Sequence, residues 1–250
     1  MPDAMWPVAL AIFGAIVGSF LATIVVRWPQ GRSVLRGRSA CDECGRTLGA
    51  AELVPLVSAA MSRGRCRTCG ARINPTHWRI EGGAALIGLA AGFVAPGVEG
   101  LAGAAFGWVL LTLAAIDAAE MWLPDELTAT LALGGLAAGL FGLPPGLEDR
   151  LIGGIAGFAS LWLIAFGYRR LRGHDGMGGG DPKLYGAIGL WLGWRMLPAV
   201  LLIAALIGLG YALFERFRGR AVAGDTALPF GTFLAIAAYP AWLVMVSAGG

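Results

Sequence analysis

Residues 4–26 read AMWPVALAIFGAIVGSFLATIVV, an apolar run that contains no charged side chain. A helix of this length rises about 35 Å, enough to cross the roughly 30 Å of hydrocarbon in a bilayer. Asp3 rather than a basic residue precedes the run, and no small-x-small cleavage pattern separates it from Arg27. The run therefore predicts an uncleaved first membrane span rather than a signal peptide.

The composition of the whole chain agrees with a membrane protein. Of the 250 residues, 57% are hydrophobic, 14% are charged, and 40 are glycines whose spread along the chain predicts close helix packing. A soluble domain of this length needs a more highly charged surface. Ten of the arginines fall within residues 27–79. We attribute this cluster to the topology bias of membrane loops rather than to nucleic-acid binding.

Runs without formal charge predict seven or eight membrane helices. They are residues 4–26, 82–98, 100–116, 127–147, 151–168, 196–214 and 226–250, with a shorter run at 184–194. Basic loops usually face the cytoplasm, so residues 27–79, 169–172 and 216–220 are predicted to share that side. The chain must then cross the membrane twice between the last two loops, so the short run at residues 184–194 is predicted to be one of these two spans. The prediction is an all-α polytopic protein of about eight helices with both termini outside.

All four cysteines lie in the basic loop, as Cys41, Cys44, Cys66 and Cys69. Two Cys-x-x-Cys turns, each followed by a glycine, can direct four thiolates at one metal ion, and nearby arginines would offset the thiolate charge. Two disulfides are the alternative, but a cytoplasmic loop is reducing. We therefore predict a closed, structural zinc site, with iron as the other metal that four thiolates hold.

Two aspartates stand where a carboxylate is costly. Asp117 follows the uncharged residues 100–116, and Asp181 follows the glycines 178–180 at the entry of the short run. Intramembrane acids are functional candidates by default, although a helix end that reaches the membrane surface is the alternative for Asp117 alone. Two carboxylates close together hold one proton between them, which is how aspartic peptidases activate water. We predict that these two acids form such a pair.

Two further charged residues flank the aspartates. Asp125 follows Pro124 and precedes an apolar run, so we expect it to cap the next helix, with electrostatic tuning of the acid pair as the alternative. Lys183 is the only lysine and is expected to extend along the membrane edge. We assign Asp125 and Lys183 at most an electrostatic effect on the acid pair.

Several motifs together resemble the bacterial prepilin peptidases, also called type IV leader peptidases, which are aspartic proteases of the inner membrane. Besides the two cysteine pairs, the motifs are GSFL at residues 18–21, RWP at 27–29, ID at 116–117, LPDELT at 123–128, GGGDPKL at 178–184 and PFGTFL at 229–234. The resemblance covers nearly the whole chain, and the motifs are specific in combination.

The resemblance implies an activity and a division of the chain. Asp117 and Asp181 would be the catalytic dyad, with Gly178 and Gly180 in the active-site loop. The substrates would be prepilins or pseudopilins of a pilus or secretion system, cut after a glycine at the cytoplasmic membrane face. Many members then N-methylate the new terminus with S-adenosylmethionine. The parts would be a first helix at 1–26, a cytoplasmic zinc-binding, methyltransferase-linked loop at 27–80 and a peptidase core at 81–250.

Two departures from the family pattern leave alternatives open. Ala22 stands where the family commonly has asparagine, and Thr232 replaces a usual proline. The first departure allows a peptidase without methylation, and no motif locates a site for S-adenosylmethionine. A proton-coupled transporter or an assembly scaffold is an alternative of another class, although proton relays place their acids nearer to the middle of the membrane.

Overall fold

The computed structural model describes residues 3–34, 39–41, 43–174, 176–219 and 227–249. Within these ranges the chain is helical, and its only extended pairing consists of two isolated antiparallel bridges. The α-helices, labelled α1 to α9 in chain order, are Trp6–Arg27, Val57–Ser62, Thr76–Val94, Val98–Glu120, Asp125–Leu140, Leu147–Arg172, Gly180–Leu192, Leu197–Phe217 and Phe230–Ser247. The predicted all-α class is confirmed.

Each of the eight predicted runs coincides with a long helix. Among the described residues, the segments long and apolar enough to cross a membrane are Asp3–Gln30, Val98–Glu120, Leu147–Arg172, Leu197–Phe217 and Phe230–Ser247. Large apolar side chains such as Ile155, Leu163 and Leu206 are exposed on α6 and α8, as expected of surfaces that face lipid. The chain is thus a multi-span membrane protein, and the count of eight spans stays a prediction.

The chain divides into two compact units, Met1–Thr112 and Leu113–Gly250, with the boundary inside α4. In the first unit, α1 packs along α3. A Cβ atom at Gly18 would lie only 2.8 Å from Cα of Glu81, so the two backbones approach closely because this residue is glycine. The predicted role of glycine in helix packing is confirmed here. The predicted division at residues 26 and 80 stays a prediction.

Helix α7 is the shortest of the eight long helices and the most fully buried. It packs against α5, α6 and α9, and ten of its 13 residues are buried. Its Tyr185 hydroxyl donates to the carbonyl oxygen of Leu197 at 2.6 Å, and its Trp191 indole N–H donates to the carbonyl oxygen of Leu131 at 2.7 Å. This helix therefore forms the core of the second unit.

Arg150 is the largest fully buried side chain of the described residues. Its guanidinium donates hydrogen bonds of 2.8 to 3.2 Å to the carbonyl oxygens of Gly135, Leu143, Pro144, Pro145 and Leu190. The sequence predicts a span that begins at residue 151, but α6 begins at Leu147. That prediction is wrong because backbone carbonyls compensate the buried cation inside the helix.

The start of α3 also differs from the prediction. The charge-free run begins at residue 82, whereas the helix begins at Thr76 and includes Arg79 and Glu81. Glu81 is buried, and its carboxylate accepts the backbone N–H of Leu56 at 2.8 Å. A charged residue can therefore lie inside the helix, because a backbone N–H donates a hydrogen bond to its carboxylate. The outer ends of the last predicted run, residues 226 and 250, lie outside the described residues.

Candidate active site and metal centre

Asp117 lies near the end of α4 and is only 5% exposed. Its Oδ2 atom accepts the backbone N–H of Thr232 at 2.7 Å. The Thr232 hydroxyl lies 3.0 Å from the same oxygen and 3.0 Å from the carbonyl oxygen of Ala114, so its single proton can be donated to either one. Asp117 is therefore held inside the protein, which contradicts the alternative of a helix end extended to the membrane surface.

Asp181 is the second residue of α7 and is also 5% exposed. Its carboxylate accepts hydrogen bonds from the backbone N–H groups of Gly178 and Gly231. A Cβ atom at Gly178 would lie 3.3 Å from Oδ2 of Asp181, and one at Gly180 would lie 2.8 Å from Cβ of Leu123. Both glycines of the predicted active-site loop thus occupy positions where a side chain would crowd the acid or its neighbour.

The first turn of α9 joins the two acids. The N–H of Gly231 is donated to Asp181, and the next N–H along the chain, that of Thr232, is donated to Asp117. The free N–H groups at a helix start carry a partial positive charge and stabilise carboxylates. The acids are close enough for the charge of Asp117 to act on Asp181. The structure therefore brings the two predicted aspartates together.

Position 231 has no room for a side chain. A Cβ atom there would lie 2.8 Å from Cδ1 of Leu123 and 3.1 Å from Oδ2 of Asp117. Sequence reasoning did not identify the part that Gly231 and Thr232 play at the two acids. The sequence signal for a helix start here was Pro229 before an apolar run, because proline is common at helix starts. In the structure, Pro229 is the N-terminal cap residue of α9.

Asp125 and Lys183 form an ion pair on the second unit. The Lys183 Nζ atom lies 2.7 and 2.9 Å from the two carboxylate oxygens of Asp125, and both side chains are exposed. The prediction that Asp125 caps α5 is wrong, because Pro124 occupies the cap position and Asp125 is the first helical residue. Sequence reasoning missed this pair. An electrostatic effect of either residue on the acids stays a prediction.

The four cysteines lie in two matching turns. In each turn, the first cysteine donates its N–H to a carbonyl oxygen five residues later and accepts the N–H of a glycine four residues later, at 2.8 to 2.9 Å. Those glycines, Gly45 and Gly70, have φ angles of 67° and 72°. Glycine readily adopts this left-handed conformation. The glycine that follows each cysteine pair therefore allows the turn to form, as the sequence predicted.

The thiol groups converge on one point. The Sγ atoms of Cys41, Cys44, Cys66 and Cys69 all lie within 4.8 Å of one another, and those of Cys41 and Cys69 are 3.8 Å apart. A tetrahedral zinc shell with Zn–S bonds of about 2.3 Å places its sulfur atoms about 3.8 Å apart. All four are free thiols, which contradicts the disulfide alternative. The cluster can hold a metal ion.

The surroundings of the cluster favour the thiolate of Cys66 but not that of Cys69, where the backbone N–H of Ala71 is outweighed by burial and the other three cysteines and the pKa is raised to about 11. The backbone N–H groups of Cys69 and Thr68 lower the pKa of the Cys66 thiol to about 6, and metal ligation requires the deprotonated form. The guanidinium of Arg46 donates to both carboxylate oxygens of Glu52, at 3.0 and 2.6 Å, and also interacts with the Cys66 sulfur. A cation therefore stands beside the sulfur shell, as the sequence predicted.

Comparison with known proteins gives two adjoining family matches. Residues 104–213 match the type IV leader peptidase family, and residues 12–95 match the bacterial peptidase A24 N-terminal domain. A protein of Burkholderia pseudomallei strain 1026b is 40% identical over 94% of this chain and 84% of its own length. The chain belongs to the type IV leader peptidase family. No solved structure matches it.

Other members of the family have the same extent of similarity. A protein of Aeromonas hydrophila is 36% identical over 93% of this chain and 88% of its own length. One of Dickeya chrysanthemi is 35% identical over 93% of this chain and 90% of its own length. These relatives and the Burkholderia protein are all named prepilin leader peptidase/N-methyltransferase. The resemblance stated from the sequence motifs is therefore confirmed.

Proposed function

We propose that this chain is a membrane-embedded aspartic endopeptidase that removes the leader from prepilins or pseudopilins and then N-methylates the new amino terminus. The observation that carries the proposal is the joint placement of Asp117 and Asp181 at the first turn of α9, where adjacent N–H groups bind the two carboxylates. Family membership supports both activities, since the relatives carry both in their name.

The acid pair suits water activation. Two carboxylates that share one site hold one proton between them, because two adjacent negative charges repel each other. The ionised carboxylate accepts a proton from a water molecule as the water oxygen attacks the glycine carbonyl carbon, and the protonated carboxyl donates its proton to the carbonyl oxygen. The tetrahedral intermediate then breaks its C–N bond, and the leaving nitrogen takes a proton from the pair. A peptide bond is thereby hydrolysed without a covalent enzyme intermediate.

Both acids lie at helix ends, which supports cleavage near one membrane face. Asp117 is three residues from the end of α4, and Asp181 is the second residue of α7. The arginine-rich loops predict that this face is the cytoplasmic side of the inner membrane. A leader cut at that surface would be followed by an apolar helix in the bilayer. A proton relay would favour acids near the middle of a span, so peptidase activity is the better interpretation.

The four-cysteine cluster is proposed to hold a structural zinc ion. Cys41, Cys44, Cys66 and Cys69 would fill a tetrahedral shell, which would leave no position open for a substrate. The ion would fix the loop between α1 and α3. We propose that this loop, residues 27–80, serves methylation and that residues 81–250 form the peptidase core. S-adenosylmethionine, when bound, would supply the methyl group.

Cleavage of a purified prepilin by the lipid-reconstituted protein tests the proposal. The reaction contains S-adenosylmethionine, and mass spectrometry reads the new N-terminus of the product. A product that is cut after the leader glycine and carries one added methyl group is the expected result. A product that is cut but not methylated would remove the methyltransferase and leave the peptidase. An uncut substrate with folded, zinc-loaded protein would contradict the whole proposal, and proton uptake into vesicles would then test transport.

A further inference from the structure

The first unit contains a cavity of about 520 Å³ between its membrane helices and its cysteine module. One wall comes from the C-terminal half of α1, with Ser19 and Thr23, and another from the first two turns of α3, with Trp78 and Glu81. Helix α2 and the cysteine turns close the rest. Pockets for small molecules have volumes of roughly 300–1,000 Å³, so the cavity has the size of a cofactor site.

Glu81 places a carboxyl group in the lining of this cavity. It is 7% exposed, and its Oε2 atom accepts the backbone N–H of Leu56 at 2.8 Å. Among the residues that the structure describes, no lysine or arginine forms an ion pair with this carboxylate. One N–H satisfies only part of the hydrogen-bonding capacity of a carboxylate, so further acceptor capacity faces the cavity. Glu81 is therefore a group that a positively charged part of a ligand can approach.

The position of Glu81 is fixed from two sides. Its Cα atom packs against Gly18 of α1, where even a Cβ atom would come within 2.8 Å. Its carboxylate holds Leu56, whose backbone has the unusual φ angle of 61° for a residue other than glycine. A carboxylate that is fixed in this way loses little conformational freedom when it binds a cation. The carboxylate is thus preorganised in the cavity wall.

The other lining groups are those that a charged nucleoside derivative requires. Trp78 presents an indole ring, which can pack against a purine base or a cation. Arg27, Arg65 and Arg72 also line the cavity and can bind a carboxylate. The lining also includes Glu43, Glu52 and Arg67, and it thus combines carboxylates, an indole ring and guanidinium groups. A zwitterion with an aromatic base and an additional positive charge matches all three.

We propose that this cavity binds S-adenosylmethionine, with Glu81 against the positively charged sulfonium. The inference deepens the methyltransferase part of the proposed function and rests on it. When bound, S-adenosylmethionine would supply its methyl group to the lone pair of the neutral amine and leave as the neutral thioether, and the amine nitrogen would release a proton. Glu81 is a binding and positioning residue that stabilises the cationic donor and favours its retention over the neutral thioether product.

A purely structural role for Glu81 is the alternative, since it also holds the N–H of Leu56. Glu81→Gln separates the two roles, because the amide oxygen still accepts that N–H while the charge is removed. Ala22 bears on the site differently. It is fully buried in α1 and does not line the cavity, so its departure from the family pattern leaves the binding groups intact.

Isothermal titration of the reconstituted, zinc-loaded protein tests the proposal with two ligands. S-adenosylmethionine carries the sulfonium charge, and S-adenosylhomocysteine is its neutral thioether. We expect Glu81→Gln to weaken S-adenosylmethionine binding at least tenfold and S-adenosylhomocysteine binding less than threefold. The matched control Glu99→Gln removes a carboxylate of the same unit that does not line the cavity, and should change neither affinity.

Unchanged S-adenosylmethionine affinity in Glu81→Gln, or an equal loss for both ligands, would overturn the placement of the sulfonium. A second variant, Ala59→Phe, fills the cavity from α2 without a change of charge and should abolish binding of both ligands. Retained binding would overturn the site itself. Prepilin cleavage and zinc content are measured on the same samples. Protein that cuts prepilin but does not bind S-adenosylmethionine would refute this inference and leave the peptidase standing.

Discussion

Gly231→Ala tests whether the start of α9 positions the two aspartates. The added Cβ atom would lie 2.8 Å from Cδ1 of Leu123 and 3.1 Å from Oδ2 of Asp117, whereas ordinary contacts begin at 3.4 Å. Leu123 can turn its flexible side chain aside, but Oδ2 of Asp117 is held by Thr232, so this carboxylate and the helix start must separate by about 0.3 Å. A misplacement of about 1 Å near reacting groups can cost roughly 100-fold in rate, so for this smaller shift we expect kcat to fall about 3- to 10-fold.

The assay is the rate of prepilin cleavage by reconstituted protein, with thermal unfolding as the test of fold. Gly210→Ala is the matched control, because a Cβ atom at this position in α8 meets nothing within 4 Å. Alanine there should leave the rate unchanged and should stabilise the helix by up to about 1 kcal/mol. Wild-type cleavage by folded Gly231→Ala would refute the positioning of the acids by α9.

Two further predictions concern the fold and the metal. Arg150→Met removes the donor of five hydrogen bonds to buried carbonyls, and at about 1–3 kcal/mol for each unsatisfied group the loss of stability should exceed ~3 kcal/mol. The thermal midpoint measures it, with the exposed Arg195→Met as control, and an unchanged midpoint would contradict the structural role of Arg150. Removal of the metal with a chelator should abolish S-adenosylmethionine binding while prepilin cleavage stays within threefold, because Cys41 and Cys66 border the cavity. Full binding by metal-free protein would contradict this link.

The positions of the long helices could be predicted from charge-free runs because lipid-facing helices carry few charges. The ends of these helices could not be predicted where charged residues lie inside the protein. Glu81 and Arg150 interrupt the runs in sequence but not the helices, since a backbone N–H and five carbonyl oxygens meet them. Such compensation depends on distant segments. A count of charges along the chain does not detect it.

The aspartates and the cysteines could be predicted because each lies in a short motif of specific chemistry. The backbone groups that bind the two aspartates could not be predicted, because they depend on contacts between distant segments. The N–H groups of Gly231 and Thr232 reach acids on α4 and α7, and only the folded chain brings these segments together. The pairing of Asp125 with Lys183 has the same origin, since no local pattern relates the two residues.

The most direct test of the central claim is the cleavage rate of Asp117→Asn and Asp181→Asn. Each replacement keeps the size of the side chain and removes its ability to ionise. Asp149→Asn serves as control, because this aspartate lies at the start of α6 and accepts the indole N–H of Trp194. We predict that both active-site variants fold, retain zinc and leave prepilin uncut, while the control cuts normally. Substantial cleavage by either Asp117→Asn or Asp181→Asn would contradict the acid pair.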